Sequence, residues 1–235
     1  GAITGNGGIL TGTSYPFTSG TVSAILAGAI GLTKTTTGTV ILTGSNTYTG
    51  TTTITAGTIR ANSTTALGDG SGTNTLIFNG GTLQAGGTIS SPSGRAVTLT
   101  SSGLIDTNNN NITIDGTMGS ASGFSKYGTG TLTTSGAVTL GAALAINQGT
   151  FNQASSLSMT AGTTTVLSSG TWSNTGTGAI TLAGNLTNSG TITLNSNNLG
   201  CVAGADSIVI RSSVNNTLRS WSNGNQGAGT FNIYN

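Results

Sequence analysis

The chain has 235 residues, of which only 4% are charged, and it contains no histidine. Its net charge of +2 comes from six bases and four aspartates scattered along the chain, which excludes the clustered Lys/Arg surface that nucleic-acid binding requires. The single cysteine, Cys201, excludes a disulfide framework or a zinc site and leaves a small buried hydrophobe or an intermolecular disulfide as its role.

Apolar residues make up 34% of the chain and alternate with Thr, which is a strand composition and not that of a disordered linker. The best apolar run, residues 22–32, is short and interrupted by Gly, so no membrane-spanning helix is predicted. The start lacks the basic and apolar regions of a signal peptide, and we interpret the chain as a mature product or an internal fragment.

Predicted strands begin early and continue to the end of the chain, each with a period of two residues and bounded by Gly, Asn or Ser. Residues 1–19 fit the pattern poorly and are predicted to be a cap or a junction. The same is predicted for residues 211–235, which carry Arg211, Arg219 and Trp221. The whole chain, 1–235, is predicted to be a single domain.

A three-residue motif, Gly-Thr-apolar, recurs about every 21 residues from Gly20 to Gly229. A steady period near 20 with short strands predicts an all-β fold, a right-handed parallel β-helix (β-solenoid) of about 11 coils. The apolar residues of the motif are predicted to stack as one inward ladder: Val22, Val40, Ile59, Leu83, Leu104, Leu132, Phe151, Trp172, Ile192, Ile208 and Phe231. A second inward row is predicted to include Ile54, Phe78, Leu99, Ile114, Leu140 and Leu182.

A longer repeat lies over this ladder, because the stretch from Gly31 to Arg60 recurs in outline 92 residues later, from Gly123. The positions that recur are turn and core positions, which is typical of a scaffold. Lys34 and Lys126 occupy equivalent positions, and both are predicted to be outward charges that discourage pairing at a strand edge. The tract Asn108–Asn111 is predicted at a corner, with side-chain amides that bond from coil to coil.

The stretch 31–57, GLTKTTTGTVILTGSNTYTGTTTITAG, resembles the passenger-associated repeat of bacterial autotransporters and related surface β-helix proteins. It departs from that pattern where Thr36 replaces a Gly, and the second copy keeps Lys126 but loses the Asn-x-Tyr-Thr-Gly block. The resemblance is strongest over residues 31–68. It implies a secreted or cell-surface location, a right-handed parallel β-helix, and a role in adhesion or display.

No catalytic, cofactor-binding or metal-binding residues are predicted, and no cofactor. The four acids, Asp69, Asp106, Asp115 and Asp206, are interpreted as turn and corner residues, because paired carboxylates of a polysaccharide-cleaving site are not evident. The loop around Asp69 is interpreted as a turn in preference to a calcium loop, which takes several carboxylates. Exposed aromatic residues are candidates for sugar binding: Tyr48, Tyr127, Trp221 and Tyr234.

Two functions are favoured over a third. The first is a non-catalytic extracellular protein, a surface-displayed β-helical stalk or adhesin-type module that contacts further coils, surface glycans or cell surfaces. The second is a fibre subunit that polymerises end to end, since the open ends of a β-helix carry unpaired backbone groups. The third, more remote, is a polysaccharide-active enzyme.

Overall fold

The structure, a computed structural model, describes residues 1–5 and 7–193 with their side chains, and the backbone of residue 194 and of three later strands, Leu199–Cys201, Ser207–Arg211 and Thr230–Tyr234. Within these residues the chain forms short parallel strands, one 3-10 turn at Thr64–Leu67, and no α-helix. No helix in this part of the chain is long and apolar enough to cross a membrane.

The strands wind around three faces, A, B and C, and each strand pairs with the strand one turn away on its own face. Face A contains Ala2–Ile3, Gly20–Val22, Thr39–Leu42, Thr58–Ala61, Thr82–Ala85, Gly103–Asp106, Phe124–Tyr127, the first parts of Leu144–Gln153 and Thr164–Asn174, and Leu186–Asn188. Face B contains Ile9–Thr11, Ile25–Ala27, Ile89–Ser91, Ile112–Ile114, Thr131–Thr134, the last parts of Leu144–Gln153 and Thr164–Asn174, and Thr191–Leu194. Face C contains Tyr15–Phe17, Leu32–Lys34, Thr52–Ile54, Leu76–Phe78, Val97–Leu99, Met118–Ser120, Val138–Leu140, Leu157–Met159, Ile180–Leu182 and Leu199–Cys201.

Face C supplies one strand per turn, and its ten strands define ten turns. Nine steps separate Tyr15 from Leu199, a mean of about 20 residues per turn. The predicted parallel β-solenoid is therefore confirmed, with about ten turns instead of eleven. Two predicted positions, Ile208 and Phe231, pair with each other in a separate two-stranded sheet, while residues 1–19 add one turn before Val22 that the predicted ladder did not count.

The single predicted ladder is in fact two ladders on different faces. Val40, Ile59 and Leu83 stack inward on face A. The later motif residues stack inward on face B: Leu132, Phe151, Trp172 and Ile192. Because one turn buries little on its own, stacked positions such as these supply the core.

Two ladder residues are wrong. Val22 pairs with Leu42 and not with Val40, since the face A strand Gly20–Val22 is displaced by two residues. Leu104 points outward and its neighbour Ile105 is the buried partner of Leu83, because side chains alternate along a strand and a shift of one residue reverses the facing.

The second predicted row is largely correct. Ile54, Phe78 and Leu99 are register partners on face C, and Leu140 and Leu182 occupy the same face further along. The predicted placement of Ile114 in this row is wrong, because Ile114 lies on face B between Ser91 and Thr134.

The 92-residue repeat advances by four turns and one face. Lys34 ends a face C strand, whereas Lys126 lies in a face A strand four turns and one face later. Likewise Ile59 lies on face A, and its repeat equivalent, Phe151, on face B. The one-face rotation explains why the Gly-Thr-apolar motif changes face between Leu83 and Leu132.

Residues 1–19 contain three strands, and each pairs in parallel with a strand of the following turn. The predicted cap or junction at residues 211–235 lies mostly outside the described residues, as do Asp206 and the side chain of Cys201. The proposed single domain and its two ends stay predictions.

Candidate functional site

Lys126 lies inside the solenoid at the corner that leads from face A to face B. Its side chain is fully buried, with 0% exposed. Its ammonium donates to Thr107 Oγ1 at 3.0 Å, Tyr127 O at 2.8 Å, Gly128 O at 2.7 Å and Gln148 O at 2.9 Å. Burial lowers the pKa of Lys126 to about 8, while nearby Asp106 opposes the shift. The lysine thereby joins its own turn to the next through hydrogen bonds from a single cation.

Lys34 does the same at the corner from face C to face A. It is also 0% exposed, and its ammonium donates to Thr36 O, to Thr36 Oγ1 at 3.1 Å and to Ala56 O at 3.4 Å. In both repeats the acceptors include the carbonyl two residues after the lysine and the carbonyl 22 residues after it. The prediction that these lysines point outward is wrong, because a corner leaves interior carbonyls that only a long donor side chain reaches.

A glycine with positive φ lies beneath each lysine corner. Gly57 has φ +66°, and a Cβ there would lie 2.2 Å from Thr36 O and 2.7 Å from Lys34 Nζ. Gly149 also has φ +66°, and its Cβ would lie 2.3 Å from Gly128 O. A glycine is therefore required for the next turn to approach the lysine closely.

The first repeat has a second internal clamp, which the second repeat lacks. On face B the strand is replaced near Asn46, whose Oδ1 accepts from Leu26 N at 2.9 Å and whose Nδ2 donates to Ala66 O at 2.7 Å. Tyr48 follows, 0% exposed, and its hydroxyl bonds Thr52 Oγ1 at 2.6 Å. The Asn-x-Tyr block thus bridges three turns, and Tyr48, a predicted sugar-binding candidate, is instead a core residue.

Arg95 is a third buried cation. Its guanidinium donates to Leu67 O at 3.1 Å, Gly68 O at 3.3 Å and Asn74 O at 3.1 Å. These bonds fix the loop that contains Asp69. The Asp69 carboxylate accepts from Ser71 N at 3.0 Å and Ser71 Oγ at 2.9 Å, a local turn.

The asparagine tract forms a corner, as predicted. Asn108 and Asn109 have φ of 45° and 64°, a left-handed conformation that asparagine tolerates. The side-chain amides of Asn108 and Asn110 donate to Ala85 O of the preceding turn, and Asn111 Oδ1 accepts from Thr131 N of the following one. Coil-to-coil bonding by these amides is therefore confirmed.

The outer surface of face A carries a row of larger polar and exposed side chains, one per turn, which we name the face A strip. Arg60, Gln84, Asp106 and Tyr127 are successive register partners. Asn147 and Leu167 lie in the next two turns, where the pairing register shifts between Ile146 and Gln148. Tyr127 is 40% exposed and Leu167 43%. Tyr127 is the sugar-binding candidate that the structure places on the surface, while the side chains of Trp221 and Tyr234 lie outside the described residues.

The described acids lie apart from one another: Asp69 in a loop, Asp106 on face A and Asp115 after a face B strand. In the part of the chain that the structure describes, no group of three or more His, Cys, Asp or Glu residues could hold a metal ion. Sequence reasoning missed the role of the buried cations, although the repetition of Lys at one repeat position was the signal that could have shown it.

Comparison with known proteins places the resemblance on the same stretch. Residues 32–61 match the family model of the passenger-associated-transport-repeat. Over 120 residues, 51% of this chain, the sequence is 39% identical to the adhesin BmaC autotransporter of Brucella suis biovar 1 (strain 1330), of which the alignment covers only 3%. No solved structure matches significantly. The predicted resemblance to the autotransporter passenger-associated repeat is thus confirmed, and the matched residues 32–61 include Lys34, Tyr48 and Gly57.

Proposed function

We propose that this chain is part of a non-catalytic, surface-displayed β-helical passenger, an adhesin-type module that holds its outer faces away from the producing cell. The observation that carries the proposal is the passenger-associated repeat at 32–61, together with similarity to an autotransporter adhesin over half of the chain. Because the alignment spans a small part of that relative, the activity of the whole relative is not transferred.

The internal chemistry of the repeat supports a scaffold role. Lys34, Asn46 and Tyr48 are buried, and each bonds neighbouring turns or fills the core. A rigid rod built this way keeps its outer positions free to vary. Display on such a rod needs no catalytic residue.

The fibre subunit is the second candidate. At the first turn Ile9 is 69% exposed, and Ile3 and Leu10 are 37% exposed. A further turn stacked on this edge would cover them. That turn is supplied equally well by a second copy of the chain or by further coils of a longer passenger.

Surface display is tested by labelling intact cells that produce the protein with antibodies raised against the purified chain. The proposal expects labelling before permeabilisation, and loss of the label after brief treatment of intact cells with a non-specific protease. Labelling that requires permeabilisation would overturn it. Electron microscopy of the purified chain separates the candidates, since discrete short rods argue against the fibre and long filaments support it.

A further inference from the structure

We infer that the face A strip binds an uncharged oligosaccharide that lies along the solenoid axis, with the ring of Tyr127 as its stacking surface. The inference rests on the proposed function and deepens it by naming a ligand class and a site. The strip begins at Arg60, and its continuous register partners run over four turns to Tyr127, so at about 4.8 Å per turn this part is roughly 14 Å long. That length accommodates several sugar residues.

The polar groups of the strip are fixed before any ligand arrives. Gln84 Nε2 donates to Asp106 Oδ2 at 2.8 Å, and Asp106 Oδ1 accepts from Asn108 N at 2.9 Å. A side chain that is already held in place loses less conformational entropy on binding. The amide and the carboxylate therefore present acceptors in a fixed geometry, which suits the hydroxyl donors of a sugar.

Tyr127 is the next register partner after Asp106. It offers an exposed apolar ring with a polar tip, against which the C–H face of a pyranose ring packs. The single cation, Arg60, and the single anion, Asp106, balance each other along the strip, so a ligand without net charge fits better than a polyanion.

The surface beside the strip leaves room for a chain. The neighbouring outward row carries mostly small side chains: Thr58, Thr82, Leu104, Ser125, Ala145 and Thr165. An extended peptide would bind less well to this surface. The face A strands pair on both sides, so their backbone groups are not free to accept an added strand.

The test uses the full chain and four neutral hexasaccharides, cellohexaose, chitohexaose, mannohexaose and maltohexaose, with saturation-transfer NMR to detect binding and calorimetry to measure it. Tyr127→Ala is expected to weaken binding roughly tenfold, and Tyr127→Phe to retain most of it, because the ring supplies the contact. Thr139→Ala, an exposed position on face C, is the matched control and should bind as the unaltered chain does.

If none of the four sugars binds at millimolar concentration, or if Tyr127→Ala and Thr139→Ala bind equally well, the inference is wrong. A neutral hexapeptide tested in parallel that binds where the sugars do not, and loses binding in Tyr127→Ala, replaces the saccharide with a peptide and also overturns it. Failure here with positive labelling of intact cells leaves the proposed function standing. Labelling that requires permeabilisation defeats the proposed function whatever the sugars do.

Discussion

Replacing Lys126 by methionine tests whether the buried lysine holds two turns together. Methionine fills a similar volume but donates no hydrogen bond, so the carbonyls of Gly128 and Gln148 lose the ammonium as a donor. Each buried acceptor left unsatisfied costs about 1–3 kcal/mol. Removing the cation offsets part of this destabilisation, because burying the charge of Lys126 is itself unfavourable. We expect a net local destabilisation of about 2 kcal/mol, or roughly 30-fold in the opening equilibrium.

Hydrogen exchange measured by mass spectrometry is the suitable assay, since the turns of a solenoid open locally and a single global transition is not assured. Faster exchange is expected in Phe124–Tyr127 and Leu144–Gln153, with little change in the first three turns. Lys34→Met should show the same effect confined to residues 32–61. Ser125→Ala, on the outer side of the same strand as Lys126, should stay within about 0.5 kcal/mol of the unaltered chain. Unchanged or slower exchange in Lys126→Met would refute the reasoning. It would mean that the unfavourable free energy of burying the cation equals or exceeds the stabilisation from its hydrogen bonds.

Three further predictions follow from the same interior. Gly57→Ala should destabilise its turn by more than 2 kcal/mol, since a Cβ there meets backbone at 2.2 Å in a left-handed conformation, whereas Gly119→Ala, with open space around it, should be neutral or slightly stabilising in thermal unfolding. Thr134→Val should stabilise the chain by about 1 kcal/mol, because the buried Thr134 hydroxyl has no partner among the described residues. Thr107→Val should destabilise it, because the Thr107 hydroxyl bonds both Tyr127 O and the Lys126 ammonium. The reverse order of stability in a denaturant titration would contradict this pair of predictions. The pKa of Lys126 is about 8 in the folded chain and 10.5 in the unfolded chain, so between these pH values the unfolded chain binds more protons. The free energy of unfolding should therefore rise with pH from about 8 to 10, and this rise should be smaller in Lys126→Met.

The parallel β-solenoid could be predicted from the sequence because the spacing of Gly and β-branched residues reflects the turns and strands of the fold. The period of about 21 residues predicted the parallel solenoid, and Ile54, Phe78 and Leu99 were placed in their correct row. These positions depend on local alternation and on a regular turn length, both of which are visible in a single sequence.

The assignment of faces was not predictable in the same way. A motif that recurs at a steady spacing does not reveal that it has moved to the next face, and only the register shows Leu83 on face A and Leu132 on face B. The prediction that the two lysines point outward was wrong for a different reason. A charge in a strand is normally solvated, and the interior carbonyls that override this preference exist only once two turns are stacked. The face A strip likewise joins residues 20 or more positions apart, which no local pattern connects.

The most direct test of the account is the reactivity of its two lysines, because the chain contains only Lys34 and Lys126. The folded chain is treated with an amine-acetylating reagent near neutral pH, and modification at each amine is followed over time by mass spectrometry, with the urea-unfolded chain as the reference. The account predicts rapid modification of the N-terminal amine and strong protection of both lysines until the chain is unfolded. Modification of Lys34 and Lys126 in the folded chain at rates close to those of the unfolded reference would place both side chains outside the solenoid and contradict the account.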